Sequence, residues 1–140
     1  MKRTELKRNT PFRRRSPAKN FNAKPVYDIA NQRYHASKAE ARGWGYLELR
    51  ERVGEIQNLE HQPRVILVER RGKAPEISWR TDAAYDEDGR RIWWDVKPRP
   101  FTPREVLLIK LWQHNGPGLL LIVEERKKAW VEKRRIMPAA

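Results

Sequence analysis

The chain has 140 residues, with 31 Lys and Arg against 18 Asp and Glu, a net charge of +13, 10 Pro, 6 Trp and no Cys. That length suits one hydrophobic core rather than two. The lack of cysteine excludes a disulfide scaffold, a thiolate zinc site and a cysteine nucleophile, so any metal has to sit on oxygen or imidazole ligands. The longest apolar run, residues 119–123, is far short of the ~20 residues that span a bilayer, and no apolar signal core opens the chain. The expectation is a soluble, intracellular, cytoplasmic protein with no membrane partner.

The charge is unevenly placed. Residues 1–24 hold nine Lys/Arg and one Glu, residues 25–123 hold 16 against 14, and residues 124–140 hold six against three. This divides the chain into a basic arm (1–24), a nearly neutral core (25–124) and a basic C-terminal tail (125–140). A basic arm on a neutral body points to a polyanion, because each phosphate it neutralises releases condensed counterions. The arm contains a short imperfect repeat, Leu6-Lys7-Arg8-Asn9-Thr10-Pro11 followed by Phe12-Arg13-Arg14-Arg15-Ser16-Pro17. The prolines rule against the amphipathic helix of a transit peptide, and the segment is expected to be extended or disordered when alone. Lys7, Arg8, Arg13, Arg14 and Arg15 are the candidate phosphate contacts; a solubilising tail is the alternative.

From Lys24 onward the composition is that of a folded domain. Residues 26–29 and 33–35 suit a small hairpin or an extended segment. Ser37-Lys38-Ala39-Glu40 matches the S-x-x-E capping box and predicts a helix from 37 to about 53, stopped by Gly54. Within it Glu40 falls in line with Trp44 and Leu47, on the apolar side. Beyond residues 58–63, the run 65–68 predicts a buried strand ended at Arg71-Gly72-Lys73. Residues 77–85 alternate Ile77, Trp79, Thr81, Ala83 and Tyr85 with other side chains, which predicts one continuous second strand. Asp86-Glu87-Asp88-Gly89 carries the D-G hairpin signal, and residues 91–97 form the antiparallel third strand.

Pro98 and Pro100 end that pairing. Thr102-Pro103-Arg104-Glu105 opens a second helix with an N-cap, a proline at its first position and a box glutamate; Asn115-Gly116-Pro117 stops it. Residues 119–123 are then a buried strand, parallel to its neighbour because a helical crossover precedes it. Residues 126–135 read as a helical or frayed polar tail. The predicted class is α/β with a mixed sheet, ordered helix, three-stranded meander, helix, strand.

The period of two within a strand puts Asp95 and Lys97 on one face with Trp93, and Ile92, Trp94 and Val96 on the other. Asp82 lies on the preceding strand, with 12 residues between it and Asp95. Two acids and a lysine therefore converge, a set suited to metal-assisted phosphodiester hydrolysis. Carboxylates bind Mg²⁺, which keeps waters and engages substrate phosphate, and the lysine can orient the attacking water or, if its pKa is depressed, deprotonate it. The triplet by itself decides nothing, since Glu5-Leu6-Lys7 and Glu125-Arg126-Lys127 share it; only Asp95 sits in a predicted strand with an acid on the strand before. An ordinary cross-strand ion pair is the alternative for Asp82 and Lys97, and helix capping is the alternative for Glu40.

Other features point less far. His35, His61 and His114 lack zinc-site spacing, although His61 beside Gln62 can contact substrate. The Trp residues at 79, 93, 94 and 112 suit core packing better than base stacking. Gly116-Pro117-Gly118 has no G-K-[ST], so no nucleotide triphosphate is implied.

Ser37-Lys38-Ala39-Glu40-Ala41, Leu47, Gly54-Glu55-Ile56, Leu59-Glu60-His61-Gln62-Pro63, Asp82 and Asp95-Val96-Lys97-Pro98 together resemble the small phage-encoded members of the PD-(D/E)XK nuclease superfamily. These are relatives of phage endonuclease I, which resolves Holliday junctions, and of the endonuclease subunit of Tn7-like transposases. The resemblance covers about residues 25–123 and implies a restriction-endonuclease-like core. It implies that Asp82 is the motif acid and Asp95 the second metal ligand. It makes Lys97 the catalytic lysine, Glu40 a helix-borne addition to the metal site and Gln62 an auxiliary polar residue beside it. Thr81 stands where the signature proline would be, and Asp95 replaces the commoner Glu. The implied function is a Mg²⁺-dependent DNA endonuclease, with Mn²⁺ as substitute, extending to selectivity for branched DNA. It would work in a host cytoplasm if phage-encoded, alone, as a homodimer or beside a recombination partner. The alternatives are a non-catalytic basic DNA- or RNA-binding protein and a nuclease subunit of a recombination or transposition complex.

Overall fold

A computed structural model describes residues 26–28, 33–35 and 37–139. The basic arm, with Lys7, Arg8, Arg13, Arg14 and Arg15, lies outside the described residues. The elements run β1 (Val26–Asp28), β2 (Arg33–His35), α1 (Lys38–Arg52), β3 (Gln57–His61), β4 (Arg64–Val68), β5 (Ile77–Arg80), β6 (Ala83–Glu87), β7 (Arg90–Val96), α2 (Pro103–Asn115), β8 (Leu119–Arg126) and β9 (Ala129–Ile136). A mixed five-stranded sheet has the order β3-β6-β7-β8-β9, with β7 and β8 parallel and the other neighbours antiparallel. β1 pairs with β2, and β4 pairs with β5, in two separate antiparallel hairpins. The class is mixed α/β, as expected. Among the described residues, no helix is long and apolar enough to cross a membrane.

Several elements follow directly from their residues. Asp88 and Gly89 take φ 51° and 74°, the two left-handed positions of a type I′ turn, and they set the β6–β7 register in which Ala83 faces Trp94 and Tyr85 faces Ile92. Ser37 caps α1 by accepting from the Glu40 amide at 3.2 Å, and Gly54 ends it at φ 86°. The apolar run of β8 is buried on both faces, as a strand with a helix on each side must be. Leu119, Leu121 and Val123 pack with Trp44 and Leu47 of α1, whereas Leu120 and Ile122 pack with Ile109 and Trp112 of α2. Ile92, Trp94 and Val96 join the α1 side and Trp93 the α2 side, the alternation expected of β7. Trp79, Trp94 and Trp112 are buried, so these rings are core. Gly43 lets α1 close on the sheet, because a Cβ there would stand 2.7 Å from the Trp94 ring.

Three expectations need correction. First, residues 77–85 are not one strand. The chain leaves the β4–β5 hairpin at Arg80 and enters the large sheet at Ala83, and the meander is β3-β6-β7. Thr81 and Asp82 form the break: the buried Thr81 hydroxyl bonds Ala83 O, while its amide bonds Pro63 O rather than a sheet neighbour. Second, β3 is an additional strand whose polar sequence gives no alternating apolar signal. Third, the basic tail is neither helical nor frayed. Lys127 and Lys128 take φ 50° and 64° in a two-residue turn without glycine, and β9 returns along β8 to bury Ile136. The folded unit thus continues through residue 136 instead of ending at 124.

Candidate active site

Asp82 and Asp95 meet where β5 hands over to β6. Because Ala83 pairs with Trp94, the residues just outside that pair come side by side, and each acid bonds the other's strand. Asp95 Oδ1 accepts from the Asp82 amide at 3.1 Å, and Asp82 Oδ2 accepts from the Val96 amide at 2.7 Å. Lys97 follows directly. Its amide donates to Val123 O at 2.9 Å, which keeps it in line with β7, and its ammonium stands 2.6 Å from Asp95 Oδ2. The predicted gathering of Asp82, Asp95 and Lys97 is therefore present.

The electrostatics of this group are unbalanced. Asp95 is only 1% exposed. Burial, then the Asp95 charge, then the Glu40 charge hold the Asp82 carboxyl well above the usual carboxylate range, against the Val96 amide and Lys97. Burial also raises Asp95, against its Lys97 partner. For Lys97, burial would lower the pKa, but the facing Asp95 carboxylate outweighs it and the ammonium is held above its ordinary value. Lys97 as placed is a proton-bearing donor, and the condition for its acting as a base, a depressed pKa, is not met.

The family described as "Protein of unknown function (DUF1064)" matches residues 18–133. The chain belongs to this family. No curated protein and no solved structure matches it.

In this DUF1064 protein a small, largely closed cleft lies beside Asp82, lined by Glu40, Trp44, His61, Asp82, Ala83 and Trp94. Glu40 does more than help start α1: its Oε1 accepts from Gln62 Nε2 at 2.9 Å. Gln62, at φ 50°, also donates its amide to Asp82 O at 3.0 Å, so it ties the α1 glutamate to the backbone of Asp82. The His61 ring meets Trp44 edge-on, with centroids 4.8 Å apart. Among the described residues, no three His, Asp or Glu side chains are grouped closely enough to hold a metal ion as placed. Asp82 and Asp95 come together, whereas Glu40 does not complete a three-ligand set with them. Two carboxylates still fit Mg²⁺, which is commonly held by one or two carboxylates together with waters and substrate phosphate. The half-buried Asp82, whose ionised form burial and the Asp95 charge both disfavour, is also in an environment that a divalent cation relieves.

A supporting layer stands behind Lys97. Glu105 closes its capping box, accepting from the Thr102 amide at 2.9 Å while its own amide donates to Thr102 Oγ1 at 3.2 Å. The same carboxylate stands 3.6 Å from Lys97 Nζ and takes both terminal nitrogens of Arg99, at 2.8 and 3.3 Å. Burial pushes its pKa up, but Arg99, the Thr102 amide and Lys97 outweigh this and hold it below its usual value. Lys133 of β9 donates to Lys97 O at 3.3 Å and to Arg99 O, and lies 4.7 Å from the Phe101 ring centroid. The T-x-x-E box signalled the cap, but no local pattern signals ion pairs set by the packing of α2 and β9 against the end of β7.

Proposed function

We propose that this protein is a divalent-metal-dependent endonuclease acting on DNA, of the PD-(D/E)XK type. The observation that carries the reading is the convergence of Asp82 with the buried Asp95–Lys97 ion pair at the junction of β6 and β7, beside the cleft that Asp82 lines. A structural role leaves unexplained why a second carboxylate, Asp82, is set against the buried Asp95–Lys97 ion pair, where burial and the Asp95 charge both disfavour its ionised form. The DUF1064 family brings no activity of its own to this argument.

Asp82 and Asp95 would hold the metal ion. When bound, Mg²⁺ polarises the scissile phosphodiester and lowers the pKa of a coordinated water. Lys97 supplies a fixed positive donor to a phosphate oxygen or to the attacking water, and Glu105 with Arg99 keeps its stem segment in place. Gln62 holds Glu40 toward the cleft, where its charge adds to the negative field that draws a cation.

Incubation with supercoiled plasmid and with branched DNA is expected to give Mg²⁺- or Mn²⁺-dependent cutting. Asp95→Asn and Lys97→Ala should each lower it by about 10³-fold, a loss of ~4 kcal/mol of transition-state stabilisation. Equal cutting by wild type and both variants would contradict the assignment. The second reading, a non-catalytic nucleic-acid binder, is favoured by the closed Asp95–Lys97 ion pair at 2.6 Å. It predicts binding without cutting under both metals.

A further inference from the structure

The β4–β5 hairpin stands apart from the large sheet, and both of its strands leave from the candidate site. The Thr81 amide donates to Pro63 O at 3.2 Å and the Gln62 amide to Asp82 O at 3.0 Å, so the hairpin is rooted between Gln62 and Asp82. Its inner face is occupied: Val65, Leu67 and Trp79 pack with Leu108 and Trp112 of α2, and Asn115 Nδ2 donates to Leu67 O at 2.8 Å.

The outer face and tip are cationic. Arg64 and Arg80 are direct cross-strand partners and both are exposed, an arrangement that costs stability because like charges stand opposite. Glu76 pairs with Arg64. Arg70, Arg71 and Lys73 are exposed at the tip, which the Arg71–Ala74 bridge closes around Gly72 at φ 59°. Among the described residues, no ion pair engages Arg80 or these three tip cations. Residues 64–80 hold five Lys/Arg against the two acids Glu69 and Glu76, and this exposed excess of cations suits a polyanion. The five residues of β4 span about 17 Å at ~3.3 Å per residue. That is about half of the ~34 Å turn of duplex DNA, whose major groove accepts a two-stranded ribbon.

We infer that the β4–β5 ribbon is a second contact with duplex DNA, following the phosphates that flank the cleaved bond. Arg64 and Arg80 lie next to the site, and Arg70, Arg71 and Lys73 lie further out. The inference rests on the nuclease reading and extends it to the mode of substrate binding. The rooting of the ribbon in Gln62 and Asp82 favours DNA over the other anionic surface that cations beside the exposed Ile66 and Ile77 would suit, a lipid headgroup layer.

The test is a salt titration of binding to a 30-base-pair duplex in EDTA. The Arg70→Gln/Arg71→Gln/Lys73→Gln protein is compared with wild type and with Arg80→Gln, which keeps the question answerable should the triple variant fold poorly. Each lost phosphate contact lowers the slope of log K against log salt by about 0.9, so the triple variant should lose about 2 to 3 and Arg80→Gln about 1. Unchanged slopes, with a wild type that binds and cuts DNA, would overturn the ribbon contact and leave the nuclease reading standing. A wild type that neither binds nor cuts DNA would overturn both. Weaker binding of the triple variant to phosphatidylserine vesicles, with no change on DNA, would overturn the ribbon as a DNA contact.

Discussion

At the start of α2, Glu105 returns to the Thr102 amide and spends its remaining capacity on Arg99 and Lys97, so its negative charge is matched by cations on both sides. At the start of α1, Ser37 caps the Glu40 amide in the same way, but the Glu40 carboxylate reaches across the cleft to a neutral amide, Gln62, and adds repulsion to Asp82. One sequence pattern, hydroxyl-x-x-Glu, thus places one carboxylate between Arg99 and Lys97 and the other between Gln62 and Asp82. A helix start accounts only partly for either glutamate, and what each carboxylate reaches beyond its own cap tells them apart.

This contrast can be broken experimentally. Glu105→Ala removes half of a capping box and leaves Arg99 and Lys97 without their shared acid. It should lower stability by about 2 to 3 kcal/mol, read from denaturant unfolding. Glu40→Gln can keep an acceptor for Gln62, so its stability should change by less than about 0.5 kcal/mol while Mg²⁺-dependent cutting falls about tenfold. If the two variants behave alike, with equal loss of stability and no separate loss of cutting, the distinction between the two helix starts fails.

How much of this was legible in the residues follows from which interactions are local. The D-G turn at Asp88-Gly89, the period of two in β7, the T-P-x-E start of α2 and the doubly buried run of β8 are set within a few residues, and each is found where the pattern puts it. Register then carried Asp82 to Asp95, because a two-residue hairpin turn leaves no freedom in the pairing. β9 escaped because its turn uses two lysines in left-handed conformation, a role usually signalled by Gly, Asn or Asp. The split at Thr81 and Asp82 escaped because side-chain alternation continues through it; only the tertiary bond from the Thr81 amide to Pro63 O reveals the change of sheet. Glu105, Arg99 and Lys133 come together through the packing of three distant elements, and no sequence spacing encodes that.

The central claim is that Asp82 and Asp95 are held together against their own repulsion for the sake of a divalent cation, and thermal unfolding of wild type and Asp82→Asn tests it most directly. Asparagine can still accept from the Val96 amide, so the substitution removes charge and not the hydrogen bond. The folded-state pKa of Asp82 is raised, so the folded protein retains a proton that the unfolded chain releases near pH 4. Wild-type stability therefore falls as pH rises from there through the raised value, and the penalty is fully present above it. Without metal, Asp82→Asn should be the more stable protein at pH 7 by about 1 kcal/mol, and the gap should shrink toward pH 4. Millimolar Mn²⁺ should raise the wild-type Tm by mass action and leave the variant nearly unmoved, which reverses the order. A variant that is less stable than wild type at every pH, with no Tm response to Mn²⁺ in either protein, would contradict the account and make these acids ordinary ion-pair partners.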